Sequence, residues 1–334
     1  LERAAQRYSY FIGQKLSDLV EIIPLYVDDI YDRILETFND RIAALNGASG
    51  APDALKAVLS INQKALDVGS NDFVAYGADV PLYRGFPLFA KRIQLAINLR
   101  IAKAIAEKSK APDGQLPKYV VVAHSLGTAM AHDSIHLLGT ENWLDGSFST
   151  GPVGAASDAD EFRDAHRFLT QRFGTTNPFA PGFVDFRAVF MVSNTSRLLQ
   201  TICAPDKSLV CPISRGSAGA YCQKVYNVDH RLDPISKVVP FRVPAEWPRT
   251  GGGEITVEHL HQANVHGFAH YLDNPKVHLE ILMDLIDGFE PTDEEAETAE
   301  RFPVLGGRLA EAVEAKRKAV EQALERMIAQ AASE

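Results

Sequence analysis

The sequence predicts an α/β protein: a mostly parallel sheet flanked by helices, with a helical N-terminal region and a C-terminal helix. Three observations carry that prediction. A continuous apolar run, Tyr119-Val120-Val121-Val122-Ala123, passes within a few residues into the Ala-rich helical pattern that follows Thr128. Two more apolar runs, Phe186 to Ser193 and Lys224 to Val228, recur further along the chain. Runs of this kind read as strands buried on both faces, as the strands of a parallel sheet are. Glu254 to Leu260 instead alternates apolar and polar residues and fits a strand near the sheet edge.

Bulk properties bound the function classes. A chain of 334 residues accommodates one large α/β domain with insertions, or two domains. Its 46% hydrophobic and 23% charged residues suit a soluble globular protein. The net charge of −9, with no basic block, argues against nucleic acid or an anionic membrane surface as the main partner. No apolar run is long enough to cross a bilayer, and the start shows no signal peptide. Leu1 in place of an initiator Met reads as a processed or truncated start, and a cytoplasmic location is slightly favoured. Cys203, Cys211 and Cys222 fall in one loop-like region. They read as reduced thiols, with one local disulfide as the alternative, and their spacing does not match a zinc site.

The elements follow in order. Residues 1–84 read as a helical N-terminal region, or as the continuation of an upstream part. Ile22, Ile23, Leu25, Tyr26, Ile30, Ile34, Leu35 and Phe38 recur at near-helical spacing, Pro24 starts a new helix, and 53–66 read as another. Residues 85–109 predict a stronger helix with a stripe of Phe89, Ile93, Ala96, Ile97, Ile101 and Ile105. The helix after the organising strand ends at Gly139 as its C′ residue. Residues 140–184 are polar, with a helical stretch from Asp158 to Phe173. They read equally as an insertion over a site or as a surface excursion. Asn274-Pro275 starts a helix as N-cap and first helical residue, with Val277, Ile281, Leu282 and Leu285 on its stripe. The core then spans 85–290, and 291–334 form an acidic linker and an amphipathic helix from about Leu309 to Ala332. Its face carries Leu309, Val313, Val320, Leu324, Met327 and Ile328. That face suits docking on the domain, and a dimer seam or a surface contact are the sharper alternatives.

The junction Ala123-His124-Ser125-Leu126-Gly127 carries the chemistry. Passing from strand to helix this fast demands a tight turn. Small residues at Ala123 and Gly127 let the two elements pass closely and leave Ser125 at the apex. A serine hydroxyl is a weak nucleophile and needs a base within hydrogen-bond reach. At a helix N-terminus, the backbone N–H of Leu126 can stabilise a developing oxyanion.

The pattern resembles the G-x-S-x-G nucleophile elbow of the α/β-hydrolases, in particular bacterial lipase/esterase-like members carrying Ala-His-Ser-Leu-Gly. The resemblance covers about residues 85 to 287 and implies the chain order Ser, acid, His. After the strand ending at Val228 come Asp229-His230-Arg231-Leu232-Asp233-Pro234-Ile235. The family carries an Asp-Pro here, so Asp233 is the expected acid and Asp229 its rival. The expected base lies in the loop Asn264 to Pro275, where His266 and His270 both qualify. His266 lies nearer the strand end and is followed by Gly267, which allows a sharp local path. His259, His261 and His278 read as surface or core residues. The family also draws a second oxyanion donor from a loop after an early strand, often marked by His-Gly. No such marker precedes residue 85, which leaves that task to upstream sequence or to residues 71–84.

The implied activity is cleavage of carboxylic esters, lipid esters among them, through a Ser-His-Asp triad and an acyl-enzyme. No metal and no cofactor is called for. The same residues would serve acyl transfer to an alcohol, and a catalytically silent hydrolase-like binding domain is the reading from another class.

Overall fold

Among the described residues, four strands form an all-parallel sheet in the order β1-β2-β3-β4: Lys118–His124, Asp185–Val192, Cys222–His230 and Gly252–Val257. The computed structural model describes residues 1–25, 87–109, 118–138, 155–179, 183–203, 222–243, 251–260, 264–301 and 308–331. The helical stripe expected from Ile22, with a new helix at Pro24, is not borne out where it is described, since 20–25 are not helical; its remainder to 46, the helix expected in 53–66, residues 71–84, Gly139, Cys211 and His261 lie outside them.

Among the described residues the helices are α1 (Glu2–Ala5), α2 (Leu16–Leu19), α3 (Pro87–Lys108), α4 (Leu126–Leu138), α5 (Ala155–Phe173), α6 (Ser196–Cys203), α7 (Pro234–Val238), α8 (Phe268–Leu272), α9 (Pro275–Leu285), α10 (Asp293–Glu300) and α11 (Arg308–Ala331). The chain divides into two compact units. The first holds Leu1–Ile23, Ile105–Glu141 and Phe168–Glu334, and so the whole sheet and the C-terminal helix. The second holds Pro24–Ala104 and Asn142–Arg167.

In the second unit α3 buries Ile93, Leu95, Ile97, Leu99 and Ala102. These positions lie around most of the helix rather than on the single expected stripe. Lys103 pairs with Glu161 of α5.

In the first unit, β2 is the strand buried on both faces: Ala188, Val189, Phe190, Met191 and Val192 are all essentially inaccessible. The expectation gave β1, β2 and β3 that role alike, but Tyr119 to Val122 of β1 are only half-buried. A run of valines does not say whether a strand lies in the middle of a sheet or at its end, and β1 ends the described sheet. Cys222, expected in a loop, opens β3 as a buried thiol.

One sheet face is covered by α9. Phe190, Val192, Tyr226, Val228 and Val257 pack with Val277 and Ile281. The start of α9 matches its sequence signals: the Asn274 side chain accepts from Lys276 N at 3.0 Å, and Pro275 opens the helix. On its far side α9 is overlaid by the N-terminus, where Ala5, Tyr8, Phe11 and Leu16 pack with Leu282, Ile286 and Phe289. The helix α10 escaped the sequence reading, which took an acidic linker there. Thr292 and Glu295 form a capping box at its start, a legible signal. The early part of α11 docks on the sheet unit: Val313 packs with Leu260 and Val265.

His278 joins the N-terminus to α9. Its Nδ1–H donates to the Leu272 carbonyl at 3.0 Å, so Nε2 accepts from the Tyr8 hydroxyl at 2.6 Å. Burial pushes this ring down from 6.5 to about 4. The unfolded chain therefore takes up the proton near pH 6.5 and the folded chain only near 4. The stability due to neutral His278 is full above 6.5 and is lost as pH falls through that window, about 3 kcal/mol in all. Urea midpoints should therefore drop between pH 7 and 4.5. The drop should be shallower in His278→Gln, even though that variant is less stable at pH 7.

Candidate active site

The C-terminal ends of the strands line up, and that alignment builds the site. The residue after β1, Ser125, donates its backbone N–H to Val192 O at 3.0 Å. The residue after β2, Ser193, donates to Val228 O at 2.7 Å, and Arg231 after β3 donates to Val257 O at 2.9 Å. Each ladder thus runs one residue past its strand before the chain turns away. Ligand sites of parallel sheets lie at this edge.

Ser125 stands alone between β1 and α4, with φ of 55°. A non-glycine residue held there costs on the order of 1–3 kcal/mol. The surroundings offset it. The Ser125 carbonyl accepts from Thr128 N at 2.9 Å, from Thr128 Oγ1 at 2.6 Å and from Thr195 Oγ1 at 2.9 Å. Thr195 N in turn donates to Thr128 Oγ1 at 3.0 Å. At about 0.5–1.5 kcal/mol each, these bonds match the strain. Leu126 opens α4, so its N–H is one of the helix-terminal donors without an intrahelical acceptor. Gly127 is not required by a close approach: among the described residues nothing lies within 4 Å of where its Cβ would be.

Ser125 Oγ lies 2.8 Å from His266 Nε2. His266 Nδ1 lies 3.0 Å from Asp233 Oδ2 and 3.2 Å from Oδ1. The structure therefore brings Ser125, His266 and Asp233 together across three loops. His270 stands elsewhere. It lies within α8, buried, with its ring 4.7 Å from that of His230 in a T-shaped contact. Gly267 caps α8 and leaves His266 outside the helix, so the two rings do not share a face. The backbone of Gly267 has an ordinary φ of −64°. What favours glycine there is space, since a Cβ would sit 3.1 Å from Asn264 Nδ2 and 3.3 Å from its carbonyl. Asp229 lies within β3 and pairs with Lys237, away from His266. His259 is exposed and His278 is in the core.

Asp233 has no exposed surface. A lone buried carboxylate costs several kcal/mol, more than the roughly 1.5–3 kcal/mol that one charge-assisted bond returns. It has several donors. Ile235 N reaches Oδ1 at 3.0 Å, as Asp233 caps α7, while the hydroxyls of Ser193 and Tyr271 both reach Oδ2 at 2.6 Å. Burial alone would raise its pKa; the bond and charge of His266, with the two hydroxyls, outweigh it and bring the group down to about 2.

His124 braces the loop. Its Nε2–H donates to the His266 carbonyl at 2.7 Å, and its ring stacks on Phe268 at 5.2 Å. Burial, with repulsion from His266, holds it down at about 4, so it is neutral at pH 7. Ser193, Tyr271, Thr128, Thr195 and His124 were not singled out from the sequence. A polar triplet, Ser193-Asn194-Thr195, directly after a buried strand was the available signal. Among the described residues no cluster of His, Cys, Asp and Glu could hold a metal ion, and no helix is long and apolar enough to cross a membrane.

Comparison with protein-family models, with curated proteins and with solved structures gave no match.

Thr195→Val keeps the shape of the side chain and removes one donor to the strained Ser125 carbonyl. Chemical denaturation should show a loss of about 1 kcal/mol. An unchanged midpoint would mean that the Thr128 bonds suffice.

Proposed function

We propose that this chain is a serine hydrolase of the α/β-hydrolase class, acting on carboxylic esters. One observation carries the reading: the continuous line from Ser125 Oγ through His266 Nε2 and Nδ1 to the Asp233 carboxylate, at 2.8 and 3.0 Å. Its support from sequence is the Ala-His-Ser-Leu-Gly elbow and the order Ser125, Asp233, His266 along the chain.

In this reading, the lone pair on His266 Nε2 takes the proton of Ser125 as Oγ attacks the ester carbonyl. Asp233 holds the ring by Nδ1–H and stabilises the imidazolium that forms. The oxyanion develops near the Leu126 N–H and the positive end of α4. His266 then gives its proton to the departing alcohol, leaving an acyl-Ser125. Water, activated by the same ring, hydrolyses that ester and frees the serine.

Hydrolysis of a panel of 4-nitrophenyl esters tests the reading. Ser125→Ala should lower turnover at least about a thousandfold, and Asp233→Asn on the order of ten-thousandfold, with the fold intact by circular dichroism. His266→Ala should match Ser125→Ala, whereas His270→Asn should keep turnover within about tenfold, since His270 does not touch Ser125. Undiminished turnover in Ser125→Ala would sink the proposal.

A further inference from the structure

Two serines end adjacent strands in the same way. Ser125 follows β1 with φ of 55° and Ser193 follows β2 with φ of 50°. They are the only non-glycine residues with positive φ among the described residues. Glycine would occupy position 193 without strain, yet a serine is kept there, fully buried. Backbone geometry alone gives no reason for that side chain. The reason lies in what its hydroxyl touches.

Ser193 Oγ lies 2.6 Å from Asp233 Oδ2 and 3.1 Å from His266 Nδ1. An ionised carboxylate only accepts, so the hydroxyl proton points at Asp233. The lone pairs of Ser193 then face His266. Nδ1 is thus met by three oxygens that all accept: Ser193 Oγ at 3.1 Å, Asp233 Oδ2 at 3.0 Å and Oδ1 at 3.2 Å. None of the three is short. A bare ring nitrogen would oppose three sets of lone pairs, so Nδ1 carries the proton and Nε2 is left bare toward Ser125. Tyr271 completes the arrangement from α8, donating to the same Asp233 oxygen at 2.6 Å. Titratable groups facing this assembly include His124 from β1 and Tyr271 from α8, with the rings of His230 and His270 against that of Tyr271.

We infer that Ser193 is a positioning residue for the base: its hydroxyl anchors Asp233 and, with it, fixes the tautomer and orientation of His266. The inference rests on the reading of Ser125 as nucleophile. Strand order explains the location, because β2 lies between the strand that delivers Ser125 and the strand that delivers Asp233. A hydroxyl at the end of β2 is the third corner that keeps the ring from sliding along the carboxylate. The same three acceptors hold Nδ1–H when His266 becomes an imidazolium.

Fluorophosphonate inactivation of the full chain, read as kinact and KI with adduct mapping, tests this in Ser193→Gly, Ser193→Ala and Tyr271→Phe beside the wild type. Ser193→Gly relieves the positive φ, which offsets part of the bond lost to buried Asp233, so its Tm should stand above that of Ser193→Ala. Its kinact should still fall by about tenfold or more, with KI within about twofold. Ser193→Ala should show the same loss of kinact, and Tyr271→Phe a smaller one, because Asp233 keeps its Ser193 donor. Wild-type kinact in Ser193→Gly would overturn the inference while leaving the nucleophile reading intact. So would losses of Tm and kinact that run in parallel across the set, since they would mark a purely structural hydroxyl. A folded wild type with no adduct on Ser125 would instead remove the nucleophile reading, and the inference with it.

Discussion

Asp233 is a carboxylate without contact with water, set at the carboxyl edge of a parallel sheet. Burial on that scale forces protonation unless donors converge on both oxygens. They come from four places: the α7 backbone, Ser193 at the end of β2, Tyr271 in α8, and His266. The acid therefore depends on elements far apart in the chain being packed correctly. Tyr271 is also a core residue, packed with Phe190, Val192 and Val228. The site and the core share atoms, so the hydrogen bonds that ionise Asp233 are held by the same packing that closes the sheet.

The sheet edge sets the rest. Each ladder extends one residue beyond its strand, and the chain then turns at Ser125, at Ser193 and just before Asp233. Two of these turns adopt a positive φ on serine. At Ser125 three donors hold the strained carbonyl. Above this edge, His266 is held from behind by its own carbonyl, which accepts from a neutral His124. The helix after His266 is pinned in turn by the N-terminus, where Arg3 reaches Asp273 at 2.6 Å and Tyr8 reaches His278. The C-terminal helix closes the other side, placing Val313 against Val265, the neighbour of His266.

Much of this was legible, for physical reasons that also explain the gaps. A β-branched run ending in small residues before an Ala-rich stretch allows few structures other than a strand, a tight turn and a helix. Asp233 was legible through the resemblance, which implies an Asp-Pro after that strand; that it also caps α7 was not read. His266 and His270 could not be separated by spacing, since four residues apart is one helical face. What separates them is where α8 begins: Gly267 caps it, with its N–H on the Asn264 carbonyl at 3.2 Å, and leaves His266 outside the helix. The roles of Ser193, Thr195 and Tyr271 were not read, because their partners lie 38 to 73 residues away and the one local mark was the polar triplet after β2. The burial of β1 was overestimated because a run of valines does not report a strand's position in the sheet. The helix α10 was missed although Thr292 and Glu295 spelled out its start.

The most direct test is peptide mapping of the native chain after fluorophosphonate treatment, beside a sample denatured first. An activated Ser125 requires the bare Nε2 of His266 at its hydroxyl, so the arrangement predicts one adduct, on the peptide carrying Ser125, in the native sample alone. A folded chain that carries no adduct on Ser125 would contradict it.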